Sequence, residues 1–347
     1  MPAIANPRVI FASVPKGCPV PGEDVVYDET EQIDIENVSL EDGQAIVKLL
    51  VLSCDPYMRG RMRDASIKSY TPAFELGKPL TNFGVAEVVR SNNSAYNPGQ
   101  KLYGFFQFQS YNIITASPGS PPAYKTIGDE DIPVTAWVGA AGMPGKTAVY
   151  GMKAYSKAKK GEKIFVTSAY GPVGQLVCQI AKREGLDVLA SAGSDKKVEW
   201  LRKELGVTAF NYKTESTVEQ LQKFGPIDIY WDAVGGEVFD AALGAMNKGG
   251  RAIECGMISG YNSSSTYVFK NIMRIVSQEL SVNGFIVSSH EAAYVKEFYE
   301  NVPKTLATGE IKFEEDVYKG LKTVPQAIVD MLKGDNDGKV VISLADN

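Results

Sequence analysis

Small residues interrupt an apolar run at residues 167–185, where the chain reads TSAYGPVGQLVCQIAKREG. The stretch follows the strand-like run IFV and has the spacing Ala169-x-Gly171-x-x-Gly174, a GxGxxG pattern with alanine in the first place. Small residues at such a turn let backbone N–H groups approach a pyrophosphate and let the next helix pack on the strand. Any strand–turn–helix unit can carry such glycines, so the spacing fits both a dinucleotide site and a purely structural turn.

The end of the next strand-like run bears on which dinucleotide would bind. It reads Ser191-Ala192-Gly193-Ser194, with Asp195, Lys196 and Lys197 directly after it. Proteins that bind NAD place an acidic residue here for the ribose 2′-hydroxyl, whereas NADP binders offer cations to the added phosphate. We expect Asp195 to cap a helix, and a lysine pair is often only a solvated helix face. The strand lacks the acidic residue that NAD binders place at its end and is followed by lysines, and this combination favours NADPH.

The surrounding pattern supports a nucleotide-binding domain. From residue 163 onward apolar runs alternate with helical stretches: KIFVTS and GQLVCQIAKREG, DVLASA and DKKVEWLRKELG, AFNY and VEQLQKF, IDIYWDA and EVFDAALGAM, then RAIECG. This alternation predicts βαβ units and a parallel sheet. A further strand, ELSVNGFIV, and a long helix, HEAAYVKEFYENVPKTLA, follow.

The first part of the chain has a different pattern, in which strand-like segments are not followed by helical stretches. The segments QAIVKLLVLSC, FGVAEVV and KLYGFFQF are typical of strands, and turn-rich stretches separate them. Proline, glycine and acidic residues accumulate between 117 and 133, which indicates a boundary. We expect the terminal helix VPQAIVDMLKG and strand KVVISL to return to the first lobe. The predicted domains are 1–129, 130–305 and a return segment 306–347.

Composition limits the function classes. The 347 residues carry a net charge of −5 with no basic run, which argues against nucleic acid and anionic membranes as partners. The four cysteines form no CxxC pair, the amino terminus lacks a signal pattern, and no apolar stretch is long enough to cross a bilayer. We therefore predict a cytoplasmic protein. A single histidine, His290, and no ligand cluster predict that no metal is bound.

Further motifs run nearly end to end along the chain, and with them it resembles the zinc-independent medium-chain dehydrogenases/reductases. The similar branch is that of the NADPH-dependent alkenal double-bond reductases and prostaglandin (leukotriene B4 12-hydroxydehydrogenase) reductases. The motifs are CDPYMRGRM, PLTNFGVAEVV, GMPGKTAVYG, AYGPVG, AGSDKKV, FNYK, DAVGGEVFD, CGMISGYN and GDNDGKVVISLA.

The resemblance implies an α/β fold, with a Rossmann-type doubly wound parallel sheet and a mostly β GroES-like catalytic domain. It implies a homodimer joined along ELSVNGFIV and NADPH/NADP as the cofactor. The residues it assigns to cofactor binding are Gly171, Pro172, Val173, Gly174, Gly193, Lys197, Tyr212, Cys255, Gly256, Met257, Ser259, Tyr261, Phe285, Ile286, Val287 and Asn336. Of these, Lys197 and Tyr212 would hold the 2′-phosphate, and the residues from Cys255 onward would line the nicotinamide half.

The chain departs from the family at two places. Ala233 stands where an asparagine is common, and the family's TAY motif reads Thr147-Ala148-Val149 with the aromatic one place later, at Tyr150. Where zinc-dependent relatives read Gly-His-Glu, this chain reads Asn82-Phe83-Gly84. Because a lone thiol cannot build a tetrahedral zinc site, we interpret Cys54 as a buried small hydrophobe.

The reaction expected without zinc is hydride delivery from NADPH to the β-carbon of an α,β-unsaturated aldehyde or ketone. Hydroxyl donors would then stabilise the enolate oxygen, and the cofactor ribose is one source of them. Our protein candidates are Tyr261 and, facing it from the other lobe, Tyr57, although most of the seventeen tyrosines must be packing residues. Quinone reduction on the same fold and a non-catalytic NADPH sensor are the alternatives.

Other residues that invite a chemical role have simpler interpretations. His290 begins a helical stretch, so we expect a surface or capping role. Met58 and Met62 are typical of core gaps. Phe105, Phe106 and Phe108 fit a strand core first and a pocket wall second.

Overall fold

The computed structural model describes residues 3–115, 124–128, 130–263 and 265–344. Its contacts divide the chain into a first unit (1–138, 316–336 and 340–347) and a second unit (139–315 and 337–339). The sequence reading put the boundaries at 129/130 and 305/306. Residues just before 139 stay with the first unit because the Trp137 ring packs against Tyr103 and Ser53 donates to the Val138 carbonyl.

The first unit is built mainly of short strands. Its elements are β1 (Ile4–Ala5), β2 (Arg8–Phe11), β3 (Val25–Asp28), β4 (Gln32–Ile33), β5 (Gln44–Ser53), α1 (Met58–Arg61), β6 (Thr81–Ser91), β7 (Lys101–Gln107), β8 (Tyr111–Thr115) and β9 (Lys125–Ile127). The three predicted strand segments correspond to β5, β6 and β7. A 3₁₀ turn covers Val134–Val138.

Antiparallel pairing organises these strands around one apolar core. β5 pairs with β6 and β8, and the sheet continues from β6 through β7 to β9. The core includes Cys54, Met58, Met62, Phe106 and Phe108, each with at most 1% of its surface exposed. The core interpretations of Cys54, of both methionines and of these two phenylalanines are confirmed.

The second unit alternates strands and helices. Its elements are α2 (Met143–Gly151), which continues as a π-helical turn (Met152–Ser156), β10 (Lys163–Val166), α3 (Pro172–Arg183), β11 (Asp187–Ala192), α4 (Asp195–Leu205), β12 (Thr208–Asn211), α5 (Thr217–Phe224), β13 (Ile227–Asp232), α6 (Gly236–Ala245), β14 (Met246–Glu254), α7 (Arg274–Ser277), β15 (Ser281–Gly284) and α8 (Glu291–Ala307).

The six strands of this unit form one parallel sheet in the order β12-β11-β10-β13-β14-β15. The chain winds outward from β10 in one direction and then returns to add β13 on its other side. This is the doubly wound arrangement, in which ligands bind beyond the carboxyl ends of the strands where the order reverses. The predicted fold class is confirmed.

The last elements are β16 (Glu315–Lys319), α9 (Val324–Lys333) and β17 (Lys339–Ser343). β17 pairs antiparallel with β5, with Ile342 opposite Leu52, so the terminal strand returns to the first sheet as the sequence predicted. In the part of the chain that the structure describes, no helix is both long enough and apolar enough to cross a membrane.

Candidate active site

The glycine turn lies between β10 and α3. Ser168 adopts a left-handed backbone conformation (φ 49°), and α3 begins at Pro172 with Gly171 as its N-cap. A β-carbon added to Gly174 would lie 2.5 Å from the carbonyl oxygen of Ser168, whereas one added to Gly171 would keep 3.2 Å from it. The first N–H groups of a helix have no intrahelical acceptor, so Val173 and Gly174 present donors at this turn. The turn therefore fits a pyrophosphate.

The predicted 2′-phosphate residues follow the ends of β11 and β12. A β-carbon on Gly193 would lie 3.0 Å from the hydroxyl oxygen of Tyr212, and Tyr212 is 45% exposed. Lys197 lies in the first turn of α4, with its Nζ 5.9 Å from the centre of the Tyr170 ring. A cation and a hydroxyl near one strand end suit a phosphate monoester.

The helix cap at this point corrects the sequence analysis. Ser194, and not Asp195, is the N-cap of α4, and its Oγ accepts from the backbone N–H of Lys197. Asp195 is the first helical residue, and its carboxylate accepts from the Asn211 amide over 2.8 Å. The expectation that Asp195 caps the helix is wrong because Asn211, on the neighbouring strand, satisfies its carboxylate.

The two lysines also have different surroundings. Lys196 is largely exposed and pairs with Asp337 over 2.6 Å, whereas Lys197 is 91% buried by its neighbours. One cation at this end was missed: Lys213, whose Cε would lie 3.3 Å from a β-carbon on Gly193. Its place next to Tyr212 in the motif FNYK was the available signal.

Two segments beyond the sheet form the predicted nicotinamide half. The turn after β13 contains Gly235 and Gly236, both with left-handed φ, and the segment after β14 begins at Cys255. The N–H of Ile258 donates to the Ala233 carbonyl over 3.2 Å, and that of Ser259 to the Val234 carbonyl over 3.1 Å. The two segments are thus tied together by backbone hydrogen bonds.

Asp232 anchors both of these segments. Its carboxylate accepts from the N–H groups of Val234 and Gly235, at 2.7 to 3.0 Å. Its carbonyl accepts from the N–H of Cys255 over 2.9 Å and from the Cys255 thiol over 3.1 Å. Burial and the nearby Asp232 and Glu254 raise the pKa of the Cys255 thiol, so it is protonated at neutral pH. Ala233 supplies no side-chain polar group, but its N–H donates to the Thr167 hydroxyl over 2.9 Å.

Tyr261 follows a 3₁₀ turn (Ile258–Gly260) and folds back toward the start of its own segment. A β-carbon on Gly256 would lie 3.3 Å from the Tyr261 hydroxyl oxygen. Met257 in the same segment is 45% exposed. The phenol therefore lies over the backbone that the resemblance places against the nicotinamide.

The third predicted segment runs from the end of β15 to α8. The Phe285 ring packs edge-on against Trp231 and is tilted against Tyr155, while Ile286 is 39% exposed and Val287 begins a 3₁₀ turn. The ring of His290 accepts or donates a 3.0 Å hydrogen bond with the Tyr155 hydroxyl. His290 occupies the N-cap position of α8 but makes no side-chain cap hydrogen bond, and its ring is half-buried among aromatic neighbours. The expectation of a surface or side-chain capping role is therefore wrong.

The displaced aromatic of the TAY motif belongs to the core of the second unit. Tyr150 is fully buried, packs against Tyr294 and Phe298, and donates to the Glu291 carboxylate over 3.3 Å. Burial, followed by the Glu291 charge, raises its pKa.

Tyr57 and Asn336 lie in the first unit, and the other predicted site residues lie in the second. Tyr57 is directly before α1, and its hydroxyl donates to Oδ1 of Asn82 over 2.5 Å. Burial, followed by the Asp55 charge, raises the pKa of Tyr57. Asn336 is half-buried between α9 and β17.

Asn82 stands at the centre of a buried polar network. Its amide donates to Oδ2 of Asp55 and to the Ser53 carbonyl, both over 2.9 Å, and the Ser53 hydroxyl donates to the same Asp55 oxygen. Sequence reasoning noted Asn82 as a replaced zinc-ligand position and missed this role.

Among the residues that the structure describes, no group of three or more histidine, cysteine or acidic side chains is arranged to hold a metal.

The chain matches two family models and full-length relatives. Residues 8–120 match the N-terminal domain of oxidoreductases, and residues 172–304 match the zinc-binding dehydrogenases. A zinc-type alcohol dehydrogenase-like protein of Schizosaccharomyces pombe is 39% identical over 95% of both chains. A tobacco (Nicotiana tabacum) protein named 2-alkenal reductase (NADP⁺-dependent) is 37% identical, with 99% of this chain and 98% of the relative covered.

A solved structure agrees with these matches. CurA from Vibrio vulnificus, in complex with NADPH, is 30% identical and superposes with a TM-score of 0.88 over 98% of this chain and 100% of CurA. The identities and the coverage exceed what a shared fold alone would give. The chain belongs to the zinc-independent medium-chain dehydrogenases/reductases, in the NADPH-dependent alkenal double-bond reductase and prostaglandin reductase branch.

Proposed function

We propose that this NADP-dependent oxidoreductase reduces the C=C bond of α,β-unsaturated aldehydes and ketones. The observation that carries the proposal is Tyr261, whose hydroxyl lies 3.3 Å from the β-carbon position of Gly256, in a segment tied to the turn after β13. A tobacco relative that matches nearly the whole chain is named for 2-alkenal reduction, which supports this substrate class.

In this proposal, residues of the second unit hold NADPH. Gly171 to Gly174 would hold the pyrophosphate, because the N–H groups of Val173 and Gly174 begin α3 without intrahelical acceptors. Gly174 itself lets α3 pack closely on β10, since a β-carbon there would clash with the Ser168 carbonyl. Lys197, Tyr212 and Lys213 would hold the 2′-phosphate, and the segments that begin at Cys255 and Phe285 would line the nicotinamide. Asn336 is the remaining residue that we propose for the nicotinamide half. When bound, NADPH would supply the hydride for the β-carbon of the substrate.

The protein's part of the reaction is to stabilise charge on the carbonyl oxygen. As the β-carbon is reduced, electron density moves to that oxygen, and the Tyr261 hydroxyl would donate to it. One such donor in a water-poor site is worth about 3 kcal/mol of barrier. The Tyr57 hydroxyl already donates to Asn82, so its role would be to hold that amide rather than to give up its proton.

The experiment follows NADPH absorbance with an enal, an enone, a simple quinone and, with NADP⁺, a saturated alcohol. We expect turnover of the enal and enone, and product analysis should find the saturated carbonyl. Turnover of the quinone alone would replace this proposal with quinone reduction. Tight NADPH binding with no turnover of any conjugated carbonyl would favour a sensor.

We also propose that the protein is a homodimer joined along β15. This strand ends the described sheet, and exposed apolar side chains lie on it and in the α7 segment that precedes it: Val282 is 39% exposed, Met273 is 68% exposed and Val276 is 69% exposed. Apolar patches beside an edge strand favour association with a second copy. None of the four cysteines forms a disulfide, which fits the reducing cytosol as the proposed location.

A further inference from the structure

A buried polar cluster crosses three strands of the second unit, next to the proposed nicotinamide site. Asp232 and Glu254, the last residues of β13 and β14, are register partners, and Thr167 follows the last residue of β10. Thr167 is 1% exposed, Asp232 is fully buried and Glu254 is 7% exposed. Two acidic side chains side by side in the core require an explanation, because a buried charge is costly unless it is paired.

Asp232 has the environment of a carboxylate. Two backbone N–H groups donate to it, and the Thr167 hydroxyl is 3.3 Å from Oδ1. Hydrogen bonds of this kind favour the charged form of an acid.

Glu254 has the opposite environment. Among the described residues no N–H or O–H group donates to either of its carboxyl oxygens, both of which are buried. Asp232 is its register partner on the neighbouring strand, and two adjacent carboxyl groups can bond to each other only if one of them carries a proton. Burial, followed by the Asp232 charge, raises the pKa of Glu254 to about 9.

The other titratable groups at this point cannot supply a compensating charge. Burial and both acidic side chains raise the pKa values of Tyr230 and Cys255, so both are neutral at pH 7. On α6, which packs on β13, the Asp240 carboxylate accepts from the N–H groups of residues 270 and 271, and Glu237 is exposed.

We propose that Glu254 is a neutral carboxylic acid that donates its proton to Asp232 and thereby positions the two segments around the nicotinamide. Glu254 immediately precedes Cys255, and Asp232 immediately precedes the turn at residues 233–236. The hydrogen bond made by this proton therefore connects the two segments at the residues where they leave the sheet. Its loss leaves two adjacent carboxylates that repel each other at this junction. The location of the proton depends only on the geometry of the Asp232–Glu254 pair, whereas the positioning role rests on the proposed function.

The first test is the pH dependence of stability, measured without coenzyme or substrate. An acid whose pKa is higher in the folded than in the unfolded state keeps a proton that the unfolded chain releases, so stability falls as pH rises between the two values. The wild type should therefore lose stability relative to Glu254→Gln from about pH 4.5 to about pH 9. The difference in melting temperature should be small at pH 5 and several degrees at pH 9.

Glu199→Gln on α4 is the matched control, because Glu199 is exposed in the same unit. Its curve should run parallel to that of the wild type. Parallel curves for Glu254→Gln would overturn the proposal. If that variant does not fold, the infrared spectrum of the wild type decides: a carboxylic-acid carbonyl band should be present at pH 7 and disappear by pH 10, and its absence at pH 7 would equally overturn the proposal.

The second test concerns the positioning role. The NADPH dissociation constant of the wild type should rise several-fold between pH 8 and pH 10 relative to that of Glu254→Gln, whose amide donates to Asp232 at any pH. Glu254→Val, which lacks a donor, should bind NADPH more weakly than Glu254→Gln at pH 7. Equal affinities in all three proteins across this range would exclude positioning, while the stability result would still locate the proton. Loss of enone turnover alone would count only against the proposed function.

Discussion

The Tyr57 hydroxyl donates to Oδ1 of Asn82 over 2.5 Å, and the Asn82 amide in turn donates to Asp55 and to the Ser53 carbonyl. These bonds fix the orientation of the amide, so the tyrosine must be the donor. The proton of Tyr57 is therefore committed within the first unit. Tyr261, the other sequence-derived candidate, lies in the second unit.

The two tyrosines should respond differently to removal of their hydroxyl groups. Tyr261→Phe should lower kcat about 100-fold or more with little change in NADPH affinity, because it removes a donor used when charge develops. Tyr267→Phe is the matched control: Tyr267 is in the same unit, and its hydroxyl donates to Asp240. Its kcat should stay within a factor of two or so of the wild-type value. An unchanged kcat for Tyr261→Phe would remove Tyr261 from the mechanism.

Tyr57→Phe should act mainly on stability. It leaves the buried Oδ1 of Asn82 without its donor, which costs about 1–3 kcal/mol. We expect a lower free energy of unfolding in urea and a smaller loss of kcat than in Tyr261→Phe. A larger loss of kcat in Tyr57→Phe than in Tyr261→Phe would show that Tyr57 is the principal donor.

Lys197 should distinguish NADPH from NADH. Lys197→Ala removes a charge-assisted contact to the 2′-phosphate and should weaken NADPH binding by roughly 1.5 to 3 kcal/mol, with almost no change for NADH. Lys196→Ala is the control, since the Lys196 ammonium pairs with Asp337 at the surface. Titration of coenzyme fluorescence measures both affinities. Equal losses for NADPH and NADH would contradict the assigned role.

The glycine turn should tolerate one alanine better than the other. In Gly174→Ala the new carbon would lie 2.5 Å from the Ser168 carbonyl oxygen and 2.6 Å from Cα of Ala169, so the strand and helix must separate. We expect a lower melting temperature and weaker NADPH binding than in Gly171→Ala, where the closest contact is 3.2 Å. Gly60→Ala, which meets nothing within 4 Å, is the control. Wild-type behaviour of Gly174→Ala would argue against this packing.

The proposed dimer can be tested at the edge strand. Val282→Lys combined with Met273→Lys places two charges on the apolar surface beside β15, and we expect light scattering to report half the wild-type mass. Val218→Lys on α5 is the control, because Val218 is 50% exposed on another element of the same unit. A wild type that is monomeric at micromolar concentration would refute the dimer.

The sequence by itself determined the order of the elements and the location of the glycine turn. The apolar run DVLASA predicted β11 with the bounds observed, Asp187–Ala192, because a strand buried on both faces of a parallel sheet reads as continuous hydrophobic residues. Gly174 was identified from the spacing of the small residues, because a helix that packs closely on a strand leaves no room for a side chain at this position. Motifs across the whole chain identified the family.

Tertiary structure decided which polar side chains are partners. Asn211 donates a hydrogen bond to the Asp195 carboxylate, sixteen residues away along the chain. Asn82 accepts one from the Tyr57 hydroxyl, twenty-five residues away. Asp232 lies beside Glu254 only because of the register between β13 and β14. Hydrophobic periodicity encodes which face of an element is buried, and it carries no information on the residue that lies opposite across a strand pair. That choice depends on strand order and register, which form only when the sheet assembles.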